Sequence, residues 1–251
     1  MANIATEGGH WYAKDGSSCH EQPNKSKPGE MRSTTLRDAR KLGLRPSVTG
    51  IMNIAAKPQL ERWKQEQLLL AAMTLPGIDG ESVDDYMKRI RHDSQEQATI
   101  ARDTGTAIHG SLERAFQGKP YPVEHKPIIV NVIKALSDKF GPQEWSPERS
   151  FAHSLGYGGK VDLWSPDVVA DYKAKEHFAK KMAYDEHAMQ LCAYRNGLGI
   201  PKARIANVFV RWDGEVVIHE WDDEIENKRY WGMFKDLLAY WQKARKYDSA
   251  A

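Results

Sequence analysis

The chain has 251 residues, 41% of them hydrophobic, which is enough for a substantial core and is near the upper size of a single α/β domain. With 36 basic and 34 acidic residues the formal net charge is +2, so nucleic-acid contacts would have to come from local patches. The two cysteines, Cys19 and Cys192, are too few for an iron–sulfur cluster and suit a reducing compartment. No apolar run approaches the roughly 20 residues of a membrane span, and the start has no signal pattern, so we expect no membrane association.

The N-terminal 33 residues are rich in Gly, Ser, Asn, Lys and Pro and show no apolar period. This composition predicts an irregular arm, which Trp11 and Tyr12 would pin to the body. We therefore expect an arm with a short basic helix in residues 1–45 and one main domain, with a helical N-terminal part, in residues 46–251. We see no internal repeat.

Capping residues, helix breakers and apolar spacings of three and four predict six helices. They are a short basic helix LRDARKLGL capped by Thr34 or Thr35, then residues 58–73, 82–116, 127–140 and about 181–198, and a last helix from Asp222 onward. Three of these helices have predicted buried faces: Leu60, Trp63, Gln67 and Leu70 in the second, Ala98, Ala101, Gly105, Ile108, Leu112 and Ala115 in the third, and Trp231, Phe234, Leu238 and Trp241 in the last.

Three runs, RSFAHSL, KVDLWS and DVVADYKA, have the pattern of short strands, and ARIANVFVRW and EVVIHEW form a hairpin around Asp213 and Gly214. The predicted elements follow the order helices, three strands, a helix and two more strands. This order predicts an α/β protein with a mixed central sheet flanked by helices.

The third run places an acid and a lysine side by side. A period of two puts Asp171, Lys173 and Lys175 on one face of the strand, while Asp162 lies in the preceding run. Two carboxylates that converge at a sheet edge repel each other, and a divalent cation such as Mg²⁺ relieves that repulsion. For an isolated Asp-x-Lys triplet, a plain salt bridge is the alternative.

Four short motifs occur in a fixed order: TGTAIHGSLE on a helix, GYGGKVDLW, VVADYKAK, and QLCAY on a later helix. The ordered set, over roughly residues 46–199, resembles the RecB-like and lambda-exonuclease-like branch of the PD-(D/E)XK nucleases. The resemblance implies a restriction-endonuclease-like fold and a DNA exonuclease dependent on Mg²⁺ or Mn²⁺. Because the four cysteines of several relatives are missing, the chain resembles the cluster-free phage and recombination exonucleases more closely. Similarity to those enzymes implies a role in recombination or genome processing in the cytoplasm of a bacterial host cell. It also implies a single-strand annealing protein or another recombination protein as partner.

The resemblance also implies roles for individual residues. Asp162 and Asp171 correspond to the metal-binding acids, and the carbonyl of Tyr172 to a further ligand. Lys173 corresponds to the lysine that orients or activates the attacking water. His109 corresponds to the helix histidine that adds a nitrogen ligand; a hydrogen-bonded core histidine is its alternative.

Four further residues accompany these motifs. Gln190 and Tyr194 match a Gln-x-x-x-Tyr element whose spacing points both side chains the same way, with core packing of Tyr194 as the alternative. Glu113, one helical turn after His109, would orient that histidine or hold a second metal ion, or else remain a solvated glutamate. Glu148 stands where some relatives carry another functional carboxylate.

The predicted DNA contacts are basic and aromatic: Arg37, Arg40, Lys41, Trp63 and Lys175. The alternatives are a solvated basic helix for the first three and a core position for Trp63. No separate module for reading bases is apparent, so we expect an enzyme that requires a DNA end. The alternatives are a structure-selective endonuclease, an RNA-acting nuclease, and a non-catalytic DNA-binding protein that keeps the fold.

Overall fold

The computed structural model describes residues 9–250. In chain order their helices and strands are β1 (Trp11–Tyr12), β2 (Glu21–Pro23), β3 (Met31–Ser33), α1 (Leu36–Leu42), β4 (Arg45–Pro46), α2 (Val48–Met52), α3 (Pro58–Thr74), α4 (Val83–Phe116), α5 (Lys126–Phe140), β5 (Ser146–His153), β6 (Tyr157–Trp164), β7 (Val168–Lys175), α6 (Asp185–Gly197), β8 (Arg204–Arg211), β9 (Val216–Glu220) and α7 (Glu224–Arg245). A single 3-10 turn, Val123–His125, precedes α5.

The central sheet has five strands in the order β5-β6-β7-β8-β9. All neighbours are antiparallel except β7 and β8, which run parallel and are connected through α6. One face of the sheet packs with α2, α6 and α7, and the other with α4 and α5. The prediction of a mixed sheet flanked by helices is therefore confirmed at the level of an α/β architecture.

Strand β7 alternates between the two cores as its sequence predicts. Val169 packs in the core beneath α6 and α7, whereas Val168, Ala170 and Tyr172 pack in the core beneath α4 and α5. Asp171 thus belongs to the face that carries α6. Because side chains alternate between the two faces of a strand, this position brings the Asp171 carboxylate within reach of α6.

The N-terminal arm contains more regular structure than predicted. β1 pairs with β4, and β2 pairs with β3 as a hairpin. Strands of two or three residues carry no apolar period, so composition alone did not indicate them. Trp11 is buried as predicted, with its ring edge-on to that of Trp241 at 6.1 Å. Residues 1–8 of the arm lie outside the described residues, and the division at residues 45 and 46 stays a prediction.

The predicted buried face of α3 is wrong in part. Trp63 and Gln67 are half-buried and Ala71 is buried, because this stripe faces α4. Leu60 and Leu70 are 42% and 54% exposed. A helix that packs on a single partner covers only one narrow stripe, so the leucines beside that stripe stay at the surface.

The other helices lie close to their predicted ranges. Thr35 caps α1 with a reciprocal capping box, and Ser82 caps α4. α6 begins at Asp185, four residues later than predicted from the periodicity. Phe234, Leu238 and Trp241 form the buried face of α7, and Trp231 is partly buried against the same core. Among residues 9–250, none of the helices combines the length and the apolar character needed to cross a membrane.

Candidate active site

The candidate site lies where β6 and β7 separate. The two strands pair at Leu163–Ala170 and Trp164–Val169, next to the position where Asp162 would face Asp171. Here the Asp162 carboxylate takes the place of a main-chain acceptor: its Oδ2 accepts a hydrogen bond from the N–H of Tyr172 at 2.9 Å. A buried N–H that the ladder leaves free needs such an acceptor.

Asp171 is 3% exposed and is held by three donors. The ammonium of Lys173 lies 2.7 Å from its Oδ2 atom. Gln190 Nε2 donates to Oδ1 at 3.1 Å, and Asn207 Nδ2 donates to Oδ2 at 3.0 Å. A buried carboxylate is costly unless it is paired and hydrogen-bonded, and these donors meet both conditions.

Gln190 connects the strand to α6. Its Oε1 accepts from Lys173 Nζ at 3.2 Å, while its Nε2 also donates to the hydroxyl of Tyr194 at 2.8 Å, one helical turn later. Burial, reinforced by the charge of Asp171, holds the pKa of Tyr194 well above its usual value, so the phenol is neutral. Gln190 and Tyr194 therefore face β7 from the same side of α6.

His109 on α4 approaches Asp162 from the opposite side of the sheet. Its Nδ1 lies 3.6 Å from Asp162 Oδ2, and its ring is edge-on to Tyr172 at 5.7 Å. Burial lowers the pKa of His109, although the charge of Asp171 opposes the shift, and the imidazole is therefore neutral at pH 7. A neutral imidazole keeps a lone pair for a hydrogen bond or a metal ion.

The carboxyl of Asp162 is strongly perturbed. Burial, and next the charge of Asp171, raise its pKa from 3.8 to about 8, while Lys173 and the Tyr172 N–H oppose the shift. The two aspartates thus repel each other across the fork between β6 and β7. A positive charge placed between them would favour the ionised form of Asp162.

Glu148 adds a third carboxyl at this end of the sheet. Like Asp162, it lies between the β5–β6 pairs Pro147–Leu163 and Arg149–Val161, and its backbone has a positive φ of 57°. Lys160 forms an ion pair with it, yet burial raises the pKa of Glu148, and the charge of Glu113 adds to the shift. Glu113 itself accepts a hydrogen bond from Gln117 at 2.9 Å, so its partner lies at the end of the same helix, whereas the partner of Glu148 lies on the neighbouring strand β6.

A cavity of about 260 Å³ opens beside Lys173. Its walls come from β7, from α2, from the start of α3 and from α6: Thr49, Met52, Lys57, Lys173, Glu186, His187 and Gln190. Burial, followed by the charge of Lys173, lowers the pKa of His187 to about 4, so the ring is uncharged at pH 7. A neutral imidazole and an ammonium thus share this cavity.

Sequence reasoning missed three of the residues around the site. Thr49 lies in a helix of five residues, too short to show a period. His187 precedes Gln190 by three positions on α6, and this spacing could have indicated it. Asn207 is a polar residue in the apolar strand RIANVFVR, which is itself a signal of a buried hydrogen-bonding role.

The predicted DNA-contacting residues are dispersed. Arg37, Arg40 and Lys41 are exposed on α1, which lies against the end of α7, where Arg40 donates to the carbonyl of Arg245. Trp63 packs toward α4, as described above. Lys175 lies two residues after Lys173, at the exposed end of β7.

The nearest candidate metal ligands are the carboxylates of Asp162 and Asp171 and the imidazole of His109. Within residues 9–250, no three His, Cys, Asp or Glu side chains meet closely enough to hold a metal ion. Asp171 is instead held by Lys173, Gln190 and Asn207. A cation at the fork would have to exchange with the ammonium of Lys173.

Comparison with known proteins does not assign the chain to a family. No protein-family model matches the sequence, and no curated protein matches it. Among solved structures, the chain is similar to the crystal structure of SSO0001, at 12% identity, with 72% of this chain and 86% of that chain covered and a TM-score of 0.33. A similarity this low carries no information about activity.

Proposed function

We propose that the chain is a divalent-cation-dependent nuclease that hydrolyses DNA from an end, on a restriction-endonuclease-like fold. The observation that supports it most is the contact between Lys173 and Asp171, two residues apart on one strand face, beside the perturbed carboxyl of Asp162. A structural salt bridge needs one acid and one base. It does not need a second, half-buried carboxyl whose ionisation the first one opposes.

The donor chemistry suits Mg²⁺ or Mn²⁺. Asp162 and Asp171 offer carboxylate oxygens, Tyr172 a main-chain carbonyl, and His109 a neutral imidazole nitrogen. A divalent cation would relieve the repulsion between the two aspartate carboxylates. When bound there, the cation would supply charge stabilisation for the phosphate undergoing substitution and for the departing oxygen.

The chain's own residues supply the remaining chemistry. Lys173 is 23% exposed and faces the cavity, so its ammonium can orient a water molecule or offset charge on a phosphate oxygen. Gln190 holds that ammonium at 3.2 Å and limits the positions it can take. We therefore assign Lys173 to the chemical step and Gln190 to positioning.

The end requirement rests on the walls of the cavity. Thr49 and Met52 of α2 and Glu186 and His187 of α6 line it. A strand would enter such a site most easily by its terminus. The proposal includes DNA as the substrate, phage recombination or genome processing as the setting, a bacterial cytoplasm as the location and a recombination protein as partner.

The test is a nuclease assay on end-labelled linear DNA and on covalently closed circles, single-stranded and duplex. We expect linear DNA to be degraded with Mg²⁺ or Mn²⁺ and EDTA to stop the reaction. Circles should survive conditions that consume the linear DNA. Unchanged activity in EDTA would contradict the cation requirement, and rapid cutting of both circles would favour an endonuclease. A labelled RNA of the same sequence distinguishes an RNA-acting enzyme.

A further inference from the structure

We infer that Asn207 and Trp221 form a positioning pair that holds the Asp171 carboxylate in one orientation. The inference rests on the proposed function, because it concerns the acid assigned there to the cation. The parallel β7–β8 register places Asn207 directly beside Asp171. Asn207 is fully buried, and its Nδ2 donates to Asp171 Oδ2 at 3.0 Å.

Both polar ends of the Asn207 amide are occupied. Its Oδ1 accepts a hydrogen bond from Trp221 Nε1 at 2.9 Å, while its Nδ2 is directed at Asp171. The flanking residues Ala206 and Val208 pack in the core on the other face of the sheet. A buried amide in such a strand is costly unless it is hydrogen-bonded, so the two contacts account for this residue type here.

Trp221 and Asp171 require the same orientation of the Asn207 amide. An indole N–H can only donate and takes the oxygen of Asn207, whereas the carboxylate can only accept and takes its NH₂ group. Without the indole N–H, the amide oxygen loses its partner and the amide is held at one end alone. The position of Nδ2, and with it the position of the Asp171 carboxylate, is then less firmly fixed.

Trp221 is itself fixed to the scaffold. Its main-chain N–H donates to the carbonyl of Ile205 at 2.9 Å, and its own carbonyl accepts from Asn227 Nδ2 at 2.8 Å. The ring of His219 lies edge-on to it at 4.5 Å. A continuous polar chain therefore runs from α7 through Trp221 and Asn207 to Asp171.

The three donors to Asp171 differ in what they can do during turnover. Lys173 and Gln190 both line the cavity, where substrate and water can compete for them. Asn207 is not among its lining residues and has no exposed surface, so it keeps its contact with Asp171. The role of Asn207 is to orient the Asp171 carboxylate, and it acts on the bound cation only through that carboxylate. Such outer partners typically change metal affinity by about 10- to 100-fold when they are removed.

The experiment is a titration of Mn²⁺ into the full chain without DNA, followed by the electron paramagnetic resonance signal of free Mn²⁺. Trp221→Phe keeps the ring and removes the N–H. Trp212→Phe is the matched control, because the buried Trp212 Nε1 makes no hydrogen bond within the described residues. We expect Trp221→Phe to weaken Mn²⁺ binding by about tenfold or more and Trp212→Phe to leave it nearly unchanged. Equal effects of the two substitutions would overturn the inference.

A second pair of variants separates positioning from stability. Asn207→Leu should lower both the Tm and the Mn²⁺ affinity, because it leaves the indole N–H and Asp171 without their partner. Adding Trp221→Phe removes that orphaned N–H, and we expect part of the lost Tm to return. The affinity for Mn²⁺ should stay low, since Asp171 still lacks the donor that Asn207 supplies. If affinity recovers together with Tm, the pair is structural only and the inference is wrong.

Asp171→Asn distinguishes failure of this inference from failure of the proposed function. If the wild-type chain binds Mn²⁺, and binding depends on Asp171 but not on Trp221 or Asn207, the positioning pair is refuted and the nuclease proposal stands. If the wild-type chain binds no Mn²⁺, both are refuted. If Trp221→Phe does not fold, the affinity of Asn207→Leu decides, with a wild-type affinity counting against the pair.

Discussion

The carboxylate of Asp162 accepts a hydrogen bond from the main-chain N–H of Tyr172, at 2.9 Å, where β6 and β7 separate. This bond favours the ionised carboxylate, whereas burial and the charge of Asp171 favour the protonated form and raise its pKa to about 8. The protonation of one side chain at the fork is therefore set by opposing contacts. A cation would shift that balance to the ionised form.

The first prediction concerns stability without cations. The pKa of Asp162 is raised from 3.8 to about 8 in the folded chain, so the folded state binds more protons than the unfolded state across that window. The contribution of Asp162 to stability is thus present below pH 4 and is lost as pH rises toward 8. In EDTA, Asp162→Asn should raise the Tm relative to wild type by an amount that grows across this range.

Thermal melts of both proteins at several pH values check this prediction, since the amide of the variant does not titrate. A difference in Tm that stays constant from pH 4 to pH 8 would show that Asp162 ionises normally. Mg²⁺ added at pH 8 should stabilise the wild-type chain more than the variant, because Mg²⁺ is attracted to the ionised Asp162 carboxylate and the amide of the variant carries no charge.

The second prediction is that Asp171→Asn and Asp162→Asn each lower the rate of DNA cleavage by about a hundredfold or more while the fold is kept. Each change removes a ligand charge and preserves the shape of the side chain. The control is Asp167→Asn, an exposed aspartate in the turn before β7. Cleavage at the wild-type rate by either site variant would show that its residue has been misassigned.

The third prediction concerns Lys173→Ala. The ammonium contacts Asp171 and faces the cavity, so its loss should act on the chemical step, lowering kcat by about 100- to 1000-fold. The affinity for Mn²⁺ should change far less than kcat. Lys180→Ala, at an exposed position after β7, is the control. Loss of metal binding together with a normal rate at saturating metal would argue for a ligand-orienting role instead.

The fourth prediction concerns packing behind the site. A Cβ atom at Gly197 of α6 would overlap the ring of Phe151, whose other neighbours include Tyr194. Gly197→Ala should therefore destabilise the fold by about 1–3 kcal/mol. Gly232→Ala, on α7, meets no atom within 4 Å and should stabilise by about 0.5–1 kcal/mol, as alanine does in a helix. Chemical denaturation measures both, and destabilisation of equal size would refute the packing explanation.

Some of the site could be predicted from the sequence because the information is local. The period of two in β7 puts Asp171 and Lys173 on the same face, and the spacing of Gln190 and Tyr194 puts both on one side of α6. The contact of Gln190 with both β7 residues then follows once α6 lies on that face.

Other features depend on elements that are far apart in the chain. Asn207 is 36 positions after Asp171, and only the parallel register of β7 and β8 makes them neighbours. β1 has only two residues, too few for a periodic signal, and it is stabilised by pairing with β4. Leu60 and Leu70 are exposed because α4 covers only one stripe of α3. The sequence by itself determined which side chains share a face of a strand or a helix, since that follows from backbone geometry. Only the tertiary structure decided which faces meet, because strand register and the choice of covering helix depend on long-range packing.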